Sequence, residues 1–366
     1  MSFKKFSYIF VSVIFLFILF NLVVWSFFTK KLLVSEKGIV TGDLARMGYH
    51  EDISFKRKIE DTLPSLHFMS NEYNYQKIDV LTLGDSFSNG GGKGLNSYYQ
   101  DFIVTNLNLK TLNLTNYEKK TRSDIETVYI LGNSGFLEKS GVKYIIIESV
   151  VKKVVQRFSK NINNLRNDSL DNIADFYHFN TVSQENRARV RNGSLPSVSF
   201  INNGNIKFLA YNFLYNFSEK AFVSKVHRVK TDKNYFTTGN NDLLFNKNSI
   251  RSIRNNTLVN LELMNKNFNE LSDYLNKKGI KLIFMPVVNK YDLYSDYIVD
   301  NKNPKDKFFD IFENLDKRYI HINTKEIFTK KVLEGQKDIF YIDDTHWTDI
   351  ASQIVIEDLG KQLNIN

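Results

Sequence analysis

The chain opens with an unbroken apolar run. Residues 7–28 read SYIFVSVIFLFILFNLVVWSFF, carry no charge, and lie between Lys4-Lys5 and Lys30-Lys31. At ~1.5 Å of rise per residue, a helix of this length crosses a ~30 Å hydrocarbon core. The run outlasts the apolar region of a signal peptide and no small-x-small cleavage pattern follows it, which favours an uncleaved anchor over residues 1–31. Trp25 and the flanking lysines suit a membrane interface, and the terminal amine tips the charge balance toward an N-terminus inside and the remainder outside. Residues 32–75 are mixed, polar and aperiodic, and read as a stalk leading into a domain over 76–366.

From residue 77 the pattern becomes rhythmic. Short β-rich runs occur at Lys77 to Leu83, Lys110 to Asn116, Lys143 to Val150, Lys281 to Val288 and Arg318 to Asn323. Helix-compatible segments lie between most of them: Asn96 to Leu107, Ser123 to Lys139, Asn256 to Lys278 and Lys305 to Leu315. Strands alternating with helices predict an α/β fold with a three-layer, doubly wound parallel sheet, because parallel neighbours need a crossover that covers a face. The uninterrupted apolar stretches YIIIE and LIFMPV suit strands buried on both faces. One interval breaks the rhythm. Residues 151–254 are rich in Asn, Ser and aromatics, and read as an insertion of about a hundred residues over the sheet's edge or functional end. The Asn-x-Ser/Thr triplets, such as Asn192-Gly-Ser, are expected by chance at this asparagine content and carry little weight.

Composition narrows the class. Apolar residues make up 42% of the chain and charged residues 24%, the balance of a folded protein. A formal charge of +9 suggests an anionic surface or substrate, yet no basic block or nucleic-acid motif points to nucleic acid. With no cysteine, disulfides and thiolate metal sites are excluded.

Candidate chemistry starts at LTLGDSFSNGGGKG, Leu81 to Gly94. A phosphate loop needs Gly-x-x-x-x-Gly-Lys followed by Ser or Thr, but here Gly92-Lys93 is followed by Gly94 and the first glycine position is Phe87. A plain glycine-rich turn is the simple alternative. Position favours more, since Ser86 falls at the carboxyl end of the first strand of the rhythmic region, where ligand sites of open α/β sheets form. A serine hydroxyl needs a base to become a nucleophile, and the base needs an orienting carboxylate. Of the six histidines, His346 has the fitting context: YIDDTHWTDIASQIVIEDLG places it after Asp343 and Asp344 and before an apolar helix. The aspartate doublet has a competing role as the cap of that helix. His321, alternating within YIHIN, reads as a strand residue.

GDSFS early and DDTHW late resemble the SGNH/GDSL hydrolase superfamily. The Asp-Thr-His-Trp sequence is especially similar to the alginate O-acetyltransferase (AlgX/AlgJ) group of membrane-anchored polysaccharide O-acetyltransferases. Here the serine precedes the Asp-His motif, as in most SGNH enzymes and unlike the alginate group. The resemblance implies an SGNH/flavodoxin-like sheet, with Ser86 as nucleophile, His346 as general acid/base and an aspartate as orienter. Asp344 matches the alginate spacing and is favoured; Asp343 matches the Asp-x-x-His spacing of other SGNH enzymes. The Gly-x-Asn-Asp block that such enzymes place after a later strand is missing, and IIIESVVKK, with Glu148 and Ser149, stands in that region. The Ser86 N–H, the amides of Gly90 to Gly92 and the side chain of Asn133 are the substitutes considered for the oxyanion, and Trp347 for stacking on sugar.

The function so implied is an extracytoplasmic, membrane-tethered transferase that moves an acetyl group through Ser86 onto a cell-surface or secreted polysaccharide. Its acetyl donor would come through a multispanning membrane acyltransferase partner. An esterase or deacetylase on the same triad and a non-catalytic polysaccharide-binding assembly factor are the alternatives. The mechanism requires no cofactor and no metal.

Overall fold

The computed structural model describes residues 2–34, 36, 38–117, 123–162, 168–182 and 198–365. In chain order the strands are β1 (Ile39–Val40), β2 (Arg57–Lys58), β3 (Phe68–Met69), β4 (Val80–Leu83), β5 (Thr111–Leu114), β6 (Tyr144–Val150), β7 (Val226–Lys230), β8 (Asp242–Asn246), β9 (Lys281–Val287) and β10 (Ile320–His321). Six of them form one parallel sheet in the order β10-β9-β6-β4-β5-β3. The chain winds from β4 to β5 on one side, then crosses to β6 on the other. That reversal opens a crevice beside the carboxyl end of β4, the place where such sheets collect ligands.

The central strands are buried as their composition demands. All of β4 and β5, and every residue of β6 beyond Tyr144, are buried. Helices cover both faces. Tyr99–Leu107 and Thr324–Leu333 pack against Asp349–Leu363, while Leu258–Asn276 packs against β9, Val151–Phe158 and Asp124–Asn133. This is the α/β architecture read from the alternating pattern.

The element boundaries differ from the expectation in instructive ways. The long helix expected over Ser123 to Lys139 is two, Asp124–Asn133 and Phe136–Ser140. Gly135 between them takes a left-handed φ of +76°, which a continuing helix does not allow. The edge strand β3, the antiparallel pairs β1/β2 and β7/β8, and the helix Thr324–Leu333 were not among the expected elements.

The stalk expected over 32–75 is a correction. Its polar, aperiodic sequence conceals a short helix, Asp43–Gly48, whose Leu44 and Ala45 are fully buried. Leu44 and Ile53 join the core that holds the sheet, as do Val226, Leu243, Leu244 and Phe245 of the expected insertion. Lead-in and insertion therefore share one hydrophobic core with the sheet. Asn192 lies outside the described residues.

At the N-terminus a helix runs Phe3–Val24 and continues through a wider turn, Trp25–Thr29, into Lys30–Leu33. It is the one helix among the described residues long and apolar enough to cross a membrane.

Candidate active site

Ser86 stands exposed immediately after β4, between buried neighbours on either side of the Gly-Asp-Ser turn. The turn is held from below by two acidic residues. Glu148 in β6 accepts from the Asp85 N–H at 3.0 Å, the Ser88 N–H at 3.1 Å and the Ser88 hydroxyl at 2.8 Å. Burial, reinforced by the Asp85 charge, pushes its pKa well above the ordinary carboxyl value. Asp85 accepts from the Phe87 N–H at 3.1 Å, the Val150 N–H at 3.0 Å and the Arg157 guanidinium at 2.7 Å. Burial alone would raise Asp85, but the Arg157 charge and these donors outweigh it and hold the group below its ordinary value. The Ser86 N–H donates to no acceptor among the described residues.

The second half of the site comes from the loop before the last helix. His346 Nε2 lies 2.7 Å from Ser86 Oγ, and its Nδ1 lies 2.6 Å from Asp344 Oδ1. Asp344 also accepts the His346 N–H at 3.0 Å, which fixes the ring to the loop's own backbone. The Phe87 ring packs at 4.8 Å from the imidazole. Burial favours the neutral ring, yet the Asp344 charge and hydrogen bond outweigh it and raise the His346 pKa above 6.5. Asp344 is itself pushed up by burial, but the His346 and Arg57 charges outweigh that and hold it far below its ordinary value.

Asp343 faces elsewhere. It accepts from the Gly42 N–H at 2.9 Å and pairs with the buried Arg57 guanidinium. Arg57 also reaches Asp344 Oδ2 at 3.3 Å and the Gly92 carbonyl at 3.1 Å, and stacks over the Tyr341 ring at 4.1 Å. The two aspartates, left open as alternative orienters by the sequence, thus divide: Asp344 holds the imidazole and Asp343 holds Arg57. Neither caps the last helix, whose N-cap position is Thr348. Asp43, from the supposed stalk, accepts the Thr345 N–H at 2.8 Å and its hydroxyl at 2.7 Å. The Asp43 N–H donates to Asp344 Oδ2 at 2.9 Å. From beneath, buried Lys290 donates to the carbonyls of Tyr341 and Ile342 at 2.7 Å each, and burial pulls its pKa down to about 7.

The glycine run has a steric role. A Cβ on Gly91 would lie 2.4 Å from His346 Nε2, so the imidazole reaches Ser86 only because that position is bare. The Gly91 N–H donates to the Ser86 carbonyl at 2.6 Å, which removes it as an oxyanion donor. Asn133 is a correction. It ends its helix, about 15 Å of rise from Ser123 at the cleft, and accepts from the Tyr274 hydroxyl at 2.8 Å. Trp347 is another. It is buried edge-on against Phe87 and Tyr99 and offers no face to a sugar.

Ser86 borders a cleft of about 560 Å³ lined also by Asn89, Asn116, Lys153, Arg157 and Lys160. The donor atoms of Asp43, Asp344 and His346 come within 4.8 Å of one another, close enough to hold a metal ion. They are, however, bonded to each other and to Thr345, Arg57 and Ser86, as an acid–base relay requires.

Residues 237–365 match the family described as SGNH hydrolase-like domain, acetyltransferase AlgX. Over that stretch the chain is similar to the SGNH hydrolase-like domain of AlgX-type proteins. The matched stretch contains Asp344 and His346, whereas Ser86 comes from the preceding part of the same sheet. No curated protein matches the chain.

Sequence reasoning missed Asp43, Arg57 and Lys290. Their partners lie some three hundred or fifty residues away along the chain, and nothing local marks them. The one available signal was the cluster of Asp43, Arg46 and Arg57 in a segment otherwise lacking pattern.

Proposed function

We propose that this protein is an extracytoplasmic O-acetyltransferase acting through an acetyl-Ser86 intermediate, with His346 as general acid/base and Asp344 as its orienter. The observation that carries the reading is the continuous relay from Asp344 through the imidazole to an exposed serine hydroxyl at the tip of β4. Its similarity to the AlgX-type domain supports acetyl transfer as the reaction class.

The steps follow from the atoms in place. Ser86 Oγ attacks the carbonyl carbon of an acetyl donor as His346 Nε2 takes its proton. The resulting imidazolium is stabilised by Asp344, and the oxyanion accepts from the Ser86 N–H. Collapse breaks the bond to the donor's leaving oxygen, which receives the proton from His346, and leaves acetyl-Ser86. An acceptor hydroxyl in the cleft then gives its proton to His346 and attacks the ester, and collapse breaks the bond to Ser86 Oγ, which takes that proton back from His346 as the acetylated polysaccharide leaves. Supply of the acetyl group by a multispanning membrane acyltransferase fits a chain with one candidate span among its described residues.

Exposure of Ser86 to solvent supports the second reading, an esterase or deacetylase in which water is the acceptor. The two separate in one assay: turnover of an aryl acetate by the full chain, with and without oligosaccharide. Transfer gives acetylated oligosaccharide at the expense of free acetate; hydrolysis gives acetate alone. In cells, Ser86→Ala is expected to abolish acetylation of the polymer, and retention of acetylation would leave only the non-catalytic assembly role.

A further inference from the structure

The helix Asn203–Tyr215 is apolar on both sides. Its inner side packs as expected of a core helix, with Asn205, Phe208 and Tyr211 buried. Phe208 stacks on Phe28 at 4.9 Å. Asn205 accepts from the Thr29 hydroxyl at 2.6 Å and donates to Asn21 Oδ1 at 2.8 Å, joining this helix to the end of the N-terminal apolar helix through buried polar bonds. The outer side carries Ile206, Leu209 and Phe213 at helical spacing, and Phe217 follows in the turn beyond the helix, each 46–76% exposed. Phe222 and Val223, 73% and 77% exposed, follow in a loop flanked by exposed Lys220 and Lys225.

Water does not favour such a face. Large apolar side chains exposed side by side mark an interaction surface. Its occupant is indicated by the anchor. Counting from Phe6, a ~30 Å hydrocarbon core takes ~20 residues and ends near Trp25, between the two residues that bond Asn205. We infer that the outer face of Asn203–Tyr215, with Phe217, Phe222 and Val223, lies in the membrane–water boundary and forms a second attachment to lipid beside the anchor. The inference rests on reading the N-terminal helix as a membrane span. Exposed Lys30, Lys220 and Lys225 then reach the headgroup layer while the aromatic rings enter the acyl boundary.

This attachment is coupled to the cleft. Asn212 donates to the Tyr49 carbonyl at 3.0 Å, and Tyr211 meets the Tyr49 ring edge-on. Tyr49 ends the helix whose Asp43 holds Thr345. Lipid contact therefore fixes the orientation of the catalytic loop relative to the bilayer.

The chain has no cysteine, so a single introduced one reports a single place. Spin labels at Phe213→Cys and Phe222→Cys are compared with Leu16→Cys in the anchor and Leu333→Cys on an exposed helix end, in the full chain reconstituted into phosphatidylcholine–phosphatidylglycerol vesicles. Labels at 213 and 222 are expected to be open to oxygen and shielded from a soluble nickel chelate, as at 16, while 333 is open to nickel. Nickel access at 213 and 222 with 16 shielded would overturn the inference alone. Nickel access at 16 would remove the membrane span and the inference with it. Shielding of 213 and 222 from both reagents would mean that a second copy of the chain covers the face, which also overturns it.

Discussion

At the scale of the residue, the site depends on a side chain that is absent. Gly91 lets the imidazole approach Ser86, and a Cβ there would lie 2.4 Å from His346 Nε2 and 2.5 Å from the Ser86 carbonyl oxygen, so Gly91→Ala forces both the ring and the serine turn to shift. The displaced base is expected to lower kcat for aryl acetate by ~10²-fold or more, and the backbone clash to lower the thermal unfolding midpoint as well. The histidine sets the pH dependence. In the proposed reaction His346 serves as a base only when neutral, so kcat/KM is expected to rise through an ionisation above 6.5, and that ionisation to shift downward in Asp344→Asn as the favourable charge is lost. Stability runs the other way. The raised His346 pKa contributes stability below 6.5 that is lost as pH rises through the folded value; the depressed Asp344 pKa contributes stability above 3.8 that is lost as pH falls. The pair therefore stabilises most between those values, below the pH range of best activity. Pairing a pH–rate profile with unfolding curves across the same range checks both signs. Ser86 and His346 were legible in the sequence because each sits in a short motif with a chemical reason. Gly91's role was not, because clearance is a property of the approaching ring.

At the scale of the element, the loop Tyr341 to Trp347 is held from three sides, by the helix Asp43–Gly48, by Arg57 of β2 and by Lys290 after β9. The aspartate doublet divides chemistry from support. Asp344→Asn is expected to reduce kcat/KM by ~10⁴-fold through loss of the correct tautomer, whereas Asp343→Asn leaves it within about tenfold. Arg57→Leu leaves Asp343 buried without its counter-charge and is expected to destabilise the fold by about 3–5 kcal/mol, read from the denaturant midpoint. If the two asparagine variants lose activity equally, the division of roles is wrong. The sheet's central strands were legible because burial on both faces writes continuous apolar runs such as YIIIE. The two-residue strands β1, β2 and β3 are too short for a pattern, and the helix Asp43–Gly48 is buried by contacts three hundred residues away. No local period records such contacts.

At the scale of the whole molecule, the N-terminal helix and the insertion are linked through the lead-in to the loop Tyr341 to Trp347. The bonds from Asn21 and Thr29 to Asn205, and from Asn212 to Tyr49, run from the apolar helix into the domain. Replacing Asn205 with Leu is expected to strand Asn21 Oδ1 and the Thr29 hydroxyl without these partners and loosen this junction, seen as faster hydrogen exchange across Asn203–Tyr215. The central claim is that acetyl passes through Ser86. Mass spectrometry of the full chain, acid-quenched after mixing with an aryl acetate, tests it most directly. One acetyl group is expected on the peptide containing Ser86, diminishing when an oligosaccharide acceptor is added and missing in Ser86→Ala. Undiminished turnover of the aryl acetate by Ser86→Ala, with no acetyl on that peptide in the wild type, would contradict the account.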